Sequence, residues 1–161
     1  MYSRVLLQRC YLSVVNILVV FVVQISGDTE CMIVQMLYLD SIPLALVNFL
    51  KDPRIMLHGV GISGDAKKLE KDWGLKIKGA VDLGTLASTT RGQPELKNAG
   101  LKTLAKVVID FDMDKPKRVT MSNWAKCELD RIQVEYASLD AWVAYAIHQE
   151  LVKCKKLSMD T

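Results

Sequence analysis

Residues 130–151 constrain this chain more than any other stretch. Asp130 stands where a helix would begin, and Gln133, three residues on, completes a capping box. Ile132, Tyr136, Val143, Ala144, Ile147 and Leu151 then recur at helical spacing. The segment predicts a long helix with one face in the core. Tyr136 and Asp140 are four residues apart, so they share that face one turn from each other. A carboxylate on a half-buried face is costly unless something pairs with it. A divalent cation is one such partner, and a phenol one turn away could orient a water on it. Taken alone, so short a pattern is better explained as a core tyrosine beside a helix-surface acid.

The rest of the chain predicts strands first and then strands alternating with helices. β-Branched runs predict strands over 14–25 and 31–37. A helix is expected over 42–50, with Ser41 as cap and Pro43 in the first turn. Further strands are expected over 56–60 and 80–83, a helix over 65–73, a helical turn after residue 83, and a helix over 101–108. Residues 89–100, with Gly92, Pro94 and Gly100, read as a loop. A meander followed by alternation argues for an α/β fold, a mixed sheet flanked by helices.

Three further segments bear on the Tyr136/Asp140 pair. His58-Gly-Val-Gly61-Ile-Ser-Gly-Asp65-Ala-Lys-Lys-Leu69 is followed by Trp73-Gly-Leu-Lys-Ile, then by Val81-Asp82-Leu83-Gly-Thr-Leu-Ala87. Ser122-Asn123-Trp124 comes shortly before the final helix. In this order, over about residues 19–153, they resemble the Werner-type 3′–5′ exonuclease domains, plant members above all. Those domains form part of the DEDDy group of the ribonuclease H-like superfamily. The resemblance implies that fold and a metal-dependent exonuclease site using Mg²⁺ or Mn²⁺. Asp140 would bind the first ion, Asp65 would reach the second, and Tyr136 would position the attacking water. Two ions need hard oxygen donors, one activating water and the other stabilising the leaving oxygen. Asp65 also reads as an ordinary helix cap.

The family's first motif, a D-x-E on the opening strand, is missing. Alternation along a strand would aim both carboxylates at one metal. Asp28-Thr29-Glu30 fits the letters, but Ser26-Gly27-Asp28 has turn composition and sits between two β-rich runs. Asp28 and Glu30 are therefore expected in a hairpin turn. Residues 1–27 contain no Asp or Glu. Two carboxylates remain where four are expected, so weak metal binding and doubtful turnover follow.

Residues 1–18 do not resemble the family and are expected as an atypical apolar leader, with the exonuclease-like domain over 19–155 and a tail over 156–161. Such a picture suggests an N-terminally truncated domain, intact from its second strand onward. Arg4 and Arg9 precede an apolar run over 14–23 broken only by Asn16, in outline a targeting segment. The run falls short of the about 20 residues a membrane span needs. Its Val and Ile content favours a strand in the sheet.

A chain of 161 residues has the size of a single domain, and half of it is apolar. The net charge of +3 is mildly basic, compatible with a polyanion. Cys10, Cys31, Cys127 and Cys154 show no C-x-x-C spacing, which argues against a zinc site and a disulfide framework. Free thiols suggest a reducing compartment, nuclear or cytoplasmic. Lys115, Lys117, Arg118 and the Ser122-Asn123-Trp124 triplet form a basic, polar loop. By the resemblance, Lys117, Arg118 and Asn123 would line a nucleic-acid track, with Trp124 expected as a core anchor rather than a stacking platform. Asp82 is expected to cap or bridge at the sheet end, and His58 and His148 to be structural. The expected partner is DNA or RNA, with single-stranded 3′ ends, no membrane, and a possible homo-oligomer. Three readings stand: an active exonuclease, a catalytically inactive nucleic-acid-binding or interaction module of the same fold, and a membrane- or secretory-targeted product of the leader.

Overall fold

The structure, a computed structural model, describes residues 10–16, 20–27 and 30–157. Five strands form one sheet in the order β3-β2-β1-β4-β5. They are β1 (Cys10–Asn16), β2 (Val20–Ser26), β3 (Cys31–Gln35), β4 (Leu57–Gly59) and β5 (Ala80–Asp82). The first three make an antiparallel meander. The chain then crosses over through α1 (Leu44–Lys51) to lay β4 parallel to β1, and through α2 (Ile62–Trp73) to lay β5 parallel to β4. This is the mixed α/β sheet that the element order predicts.

Two expectations change at the N-terminal end. The run 14–25 is not one strand but the adjacent ends of β1 and β2, paired from Tyr11↔Ser26 to Asn16↔Val20. The register slips between Val15 and Asn16, where the one polar residue interrupts the apolar run. The domain also does not begin at its second strand. Cys10–Asn16, inside the stretch expected as a leader, lies in the middle of the sheet between β2 and β4. The turn reading of the D-x-E look-alike agrees with the structure at Glu30, which is exposed in the β2–β3 connection and accepts a bond from the Gly27 N–H at 2.9 Å. Asp28 lies outside the described residues.

The remaining elements are α3 (Leu83–Arg91), a 3₁₀ turn at Pro94–Asn98, α4 (Leu101–Ile109), the short α5 (Lys117–Thr120) and α6 (Arg131–Leu157). α1 starts later than expected, with Pro43 rather than Ser41 at the cap position. α2 starts earlier, with Gly61 at the cap in a left-handed conformation (φ 68°) that glycine adopts without strain. Asp65 therefore sits in the first turn and is not the cap. α3 is a full helix where only a turn was expected. α6 carries the expected reciprocal box: the Gln133 N–H donates to Asp130 Oδ1 and the Asp130 N–H to Gln133 Oε1, both at 3.1 Å.

Alternation along β2 divides the core between the two sheet faces. Val23 and Ile25 pack with Leu46 and Leu50 of α1 and Ile62 and Leu69 of α2. Val22 points the other way, to Ala137 of α6, Val119 and Trp124. Farther along α6, Val143, Ala144, Ile147 and Leu151 meet α3 and α4. Ile132 is an exception to the predicted face: it is 51% exposed. Among the described residues no helix is long and apolar enough to cross a membrane.

Because β1 bridges the antiparallel and parallel halves of the sheet, a chain begun at Cys10 should melt cooperatively. A chain begun at Val20 should expose the flanking edges of β2 and β4 and aggregate. Thermal unfolding and size-exclusion chromatography of the two would show this, and a soluble, cooperatively melting shorter chain would contradict the placement of β1.

Candidate functional site

Asp140 is held at the centre of the sheet-facing side of α6, between Ala137 and Ala141, and is 7% exposed. A buried carboxylate needs a cation or donors. It has one of each. The Lys115 ammonium reaches in from the loop between α4 and α5, 3.1 Å from Oδ1 and 3.3 Å from Oδ2. Only the contact to Oδ2 has hydrogen-bond alignment, so Oδ1 is buried and held by charge alone. The Tyr136 hydroxyl, one helical turn away, also favours the charged carboxylate. Burial raises the Asp140 pKa, and Lys115 and Tyr136 pull it part of the way back. Burial and the adjacent Asp140 charge raise the Tyr136 pKa far above that of an ordinary phenol, so it stays a proton donor.

The position of Lys115 is fixed from both sides. Met113 is fully buried two residues before it, and Val119 anchors α5 just after it. Its Nζ lies 5.8 Å from the centre of the Tyr136 ring. Lys115 was legible in the sequence only as one more basic loop residue. Its pairing spans 25 residues of chain, and no local pattern reports that.

The Ser122-Asn123-Trp124 loop is tied to the start of α6. Gln133 Nε2 donates to Ser122 Oγ at 2.9 Å and to the Asn123 carbonyl at 3.0 Å. Trp124 is a core anchor: it is 2% exposed, its indole N–H donates to the Val119 carbonyl, and its ring lies 6.1 Å from that of Tyr136. Asn123 is exposed, and its Oδ1 accepts from the Ala125 N–H. Lys117 and Arg118 are exposed on α5. Asp82 both caps and bridges, accepting from the Thr85 N–H at 2.9 Å and from the Gly61 N–H at 2.7 Å. His58 and His148 are buried, with ring centres 3.9 Å apart and ring planes tilted by 47°.

Asp65 is the second acid of interest. It is partly buried in the first turn of α2, and burial lifts its pKa to about 6, with Lys68 only partly opposing. Two carboxylates are thus present, but a two-metal centre needs more. β1 reads Cys-Tyr-Leu-Ser-Val-Val-Asn, without an acid. Among the described residues no three His, Cys, Asp or Glu gather closely enough to hold an ion. The donor set does not fit two metals.

The sheet order, the two crossovers and the Tyr136/Asp140 helix define a nuclease fold of the ribonuclease H-like type. Solved structures agree: Brucella melitensis NrnC superposes with a TM-score of 0.77 at 22% identity, over 96% of this chain and 76% of that one. An EXD2 exonuclease domain soaked in Mg and GMP gives 0.52 at 28% identity, over 97% of this chain and 82% of that one. A sequence model of the 3′-5′ exonuclease domain matches residues 9–155, and the chain belongs to that family. A 3′-5′ exonuclease of Drosophila persimilis is 34% identical over 84% of this chain and 39% of its own length. One from Arabidopsis thaliana is 32% identical over 80% of this chain and 44% of its own. The chain spans less than half the length of these two relatives.

The raised Asp65 pKa sets a pH dependence. The folded state keeps this proton up to about pH 6, whereas the unfolded chain loses it near 3.8. Stability from this group is therefore intact below 3.8, falls as the pH rises between those values, and the full penalty applies above about 6. Asp65→Asn should stabilise the protein at pH 8 by up to about 3 kcal/mol and change little near pH 4. Urea unfolding at both pH values measures this, and equal effects would contradict a buried, proton-retaining Asp65.

Proposed function

We propose that this domain binds single-stranded nucleic acid on a 3′–5′ exonuclease fold whose hydrolytic site is weakened. The observation that carries the reading is the first strand. β1 occupies the centre of the sheet, yet supplies no carboxylate. Hydrolysis by two metals relies on acids converging from several elements. By the resemblance, Asp65, Tyr136 and Asp140 match the family's later motifs and would be the residues through which any residual chemistry runs. Mg²⁺ or Mn²⁺ would be held weakly there. The NrnC relative has been seen bound to pGG, and EXD2 domains were soaked with Mg or Mn together with nucleotide. Both support nucleic acid and divalent cations as the ligand classes to test.

The chain's own contribution to binding would come from the loop before α6. Lys117 and Arg118 are exposed on α5, and Asn123 is exposed on the loop that Gln133 fixes to α6. Cations on such a frame suit backbone phosphates, which give sequence-independent and salt-sensitive affinity. Trp124 is buried and contributes no stacking surface.

Fluorescence anisotropy with a 5′-labelled single strand tests binding, and gel analysis of the same strand with Mn²⁺ tests turnover. The expected outcome is salt-dependent binding without shortening. Lys117→Ala with Arg118→Ala should weaken binding about tenfold and lower the salt slope by about 1 to 2. Rapid Mn²⁺-dependent shortening that Asp140→Asn abolishes would overturn the weakened-site reading.

A further inference from the structure

We propose that Lys115 is the resident cation of this site, and that its ammonium takes the side of Asp140 a divalent ion would need. The inference deepens the weakened-site reading and rests on it. It starts from charge balance. The one buried carboxylate of α6 meets one ammonium, at 3.1 and 3.3 Å from its two oxygens. The pair is sheltered: side-chain exposure is 29% for Lys115 and 10% for Asp140. A sheltered pair is far less screened than a surface one, and removing one partner leaves an uncompensated buried charge. Lys115 is also pre-positioned, because Met113 and Val119 bury the chain on either side of it. A divalent ion at Asp140 would have to evict the ammonium and then find its remaining ligands, and no acid on β1 is there to provide them. The two features reinforce each other. With a D-x-E pair present, a single lysine could not neutralise the cluster; with the pair absent, it can.

The consequence is that Lys115 adds its own barrier to a divalent ion at Asp140, and that one substitution lowers this barrier. Lys115→Met keeps most of the aliphatic stem against Tyr136 and removes only the charge. Mn²⁺ binding, followed by electron paramagnetic resonance and by the shift in melting temperature, reads the effect without any assay of turnover. The wild type should show no Asp140-dependent Mn²⁺ binding below about 1 mM, a weak-site value. Lys115→Met should bind Mn²⁺ at least about tenfold more tightly and melt higher when Mn²⁺ is added. Lys115→Met combined with Asp140→Asn should lose both responses. Wild-type binding in the micromolar range that Asp140→Asn removes would overturn the proposal, and that arm does not depend on any lysine variant folding. A folded Lys115→Met protein that ignores Mn²⁺ would overturn it as well. Single-strand binding by the wild type is measured separately: its absence would remove the nucleic-acid reading and leave the Mn²⁺ result standing.

Discussion

The close seating of α6 on the sheet is the constraint on which the rest of the domain depends. Ala137 and Ala141 flank Asp140 on the helix and are both buried. Small side chains at this spacing let the helix backbone approach the strands. Everything carried on the same side is then buried with them, Asp140 included. A larger residue at 137 or 141 would lift the helix and return Asp140 to water. Asp140 is desolvated beside these alanines, and a desolvated carboxylate needs a counter-charge or donors.

The identity of that cation follows from how many acids share the site. A cluster of carboxylates repels itself and is neutralised by multivalent ions. Here β1 contributes none, and Asp65, whose pKa burial lifts to about 6, carries its charge only above that pH. What remains at Asp140 is a single negative charge, which an ammonium matches. What the structure holds at Asp140 is an internal ion pair with Lys115. The basic loop that places Lys115 also carries Lys117 and Arg118, so one segment would serve both the ion pair and a polyanion.

Much of this was legible in the sequence where the signal is local. The Asp130/Gln133 box, the Tyr136/Asp140 spacing and the capping role of Asp82 each involve residues within one helical turn, and the structure has all three. The turn around Glu30 was legible from its Gly-Asp composition. α3 was not, because Gly84, Ser88, Thr89 and Thr90 are weak helix formers. It is held instead by packing, with Leu83 and Ala87 fully buried and a Cβ at Gly84 meeting the Lys97 carbonyl oxygen at 2.5 Å. The β1/β2 division was hidden because residues 14–23 read as one apolar run and only Asn16 marks the break. Lys115 was hidden for the opposite reason. Its partner is distant in sequence, and nothing in a lysine's neighbours tells a solvated charge from a buried counter-ion.

Anomalous diffraction from crystals soaked in Mn²⁺ would test the central claim most directly. The account predicts Lys115 Nζ within hydrogen-bond distance of Asp140 and no manganese peak between them. A manganese ion bound by Asp140, with Lys115 turned out to solvent, would contradict it.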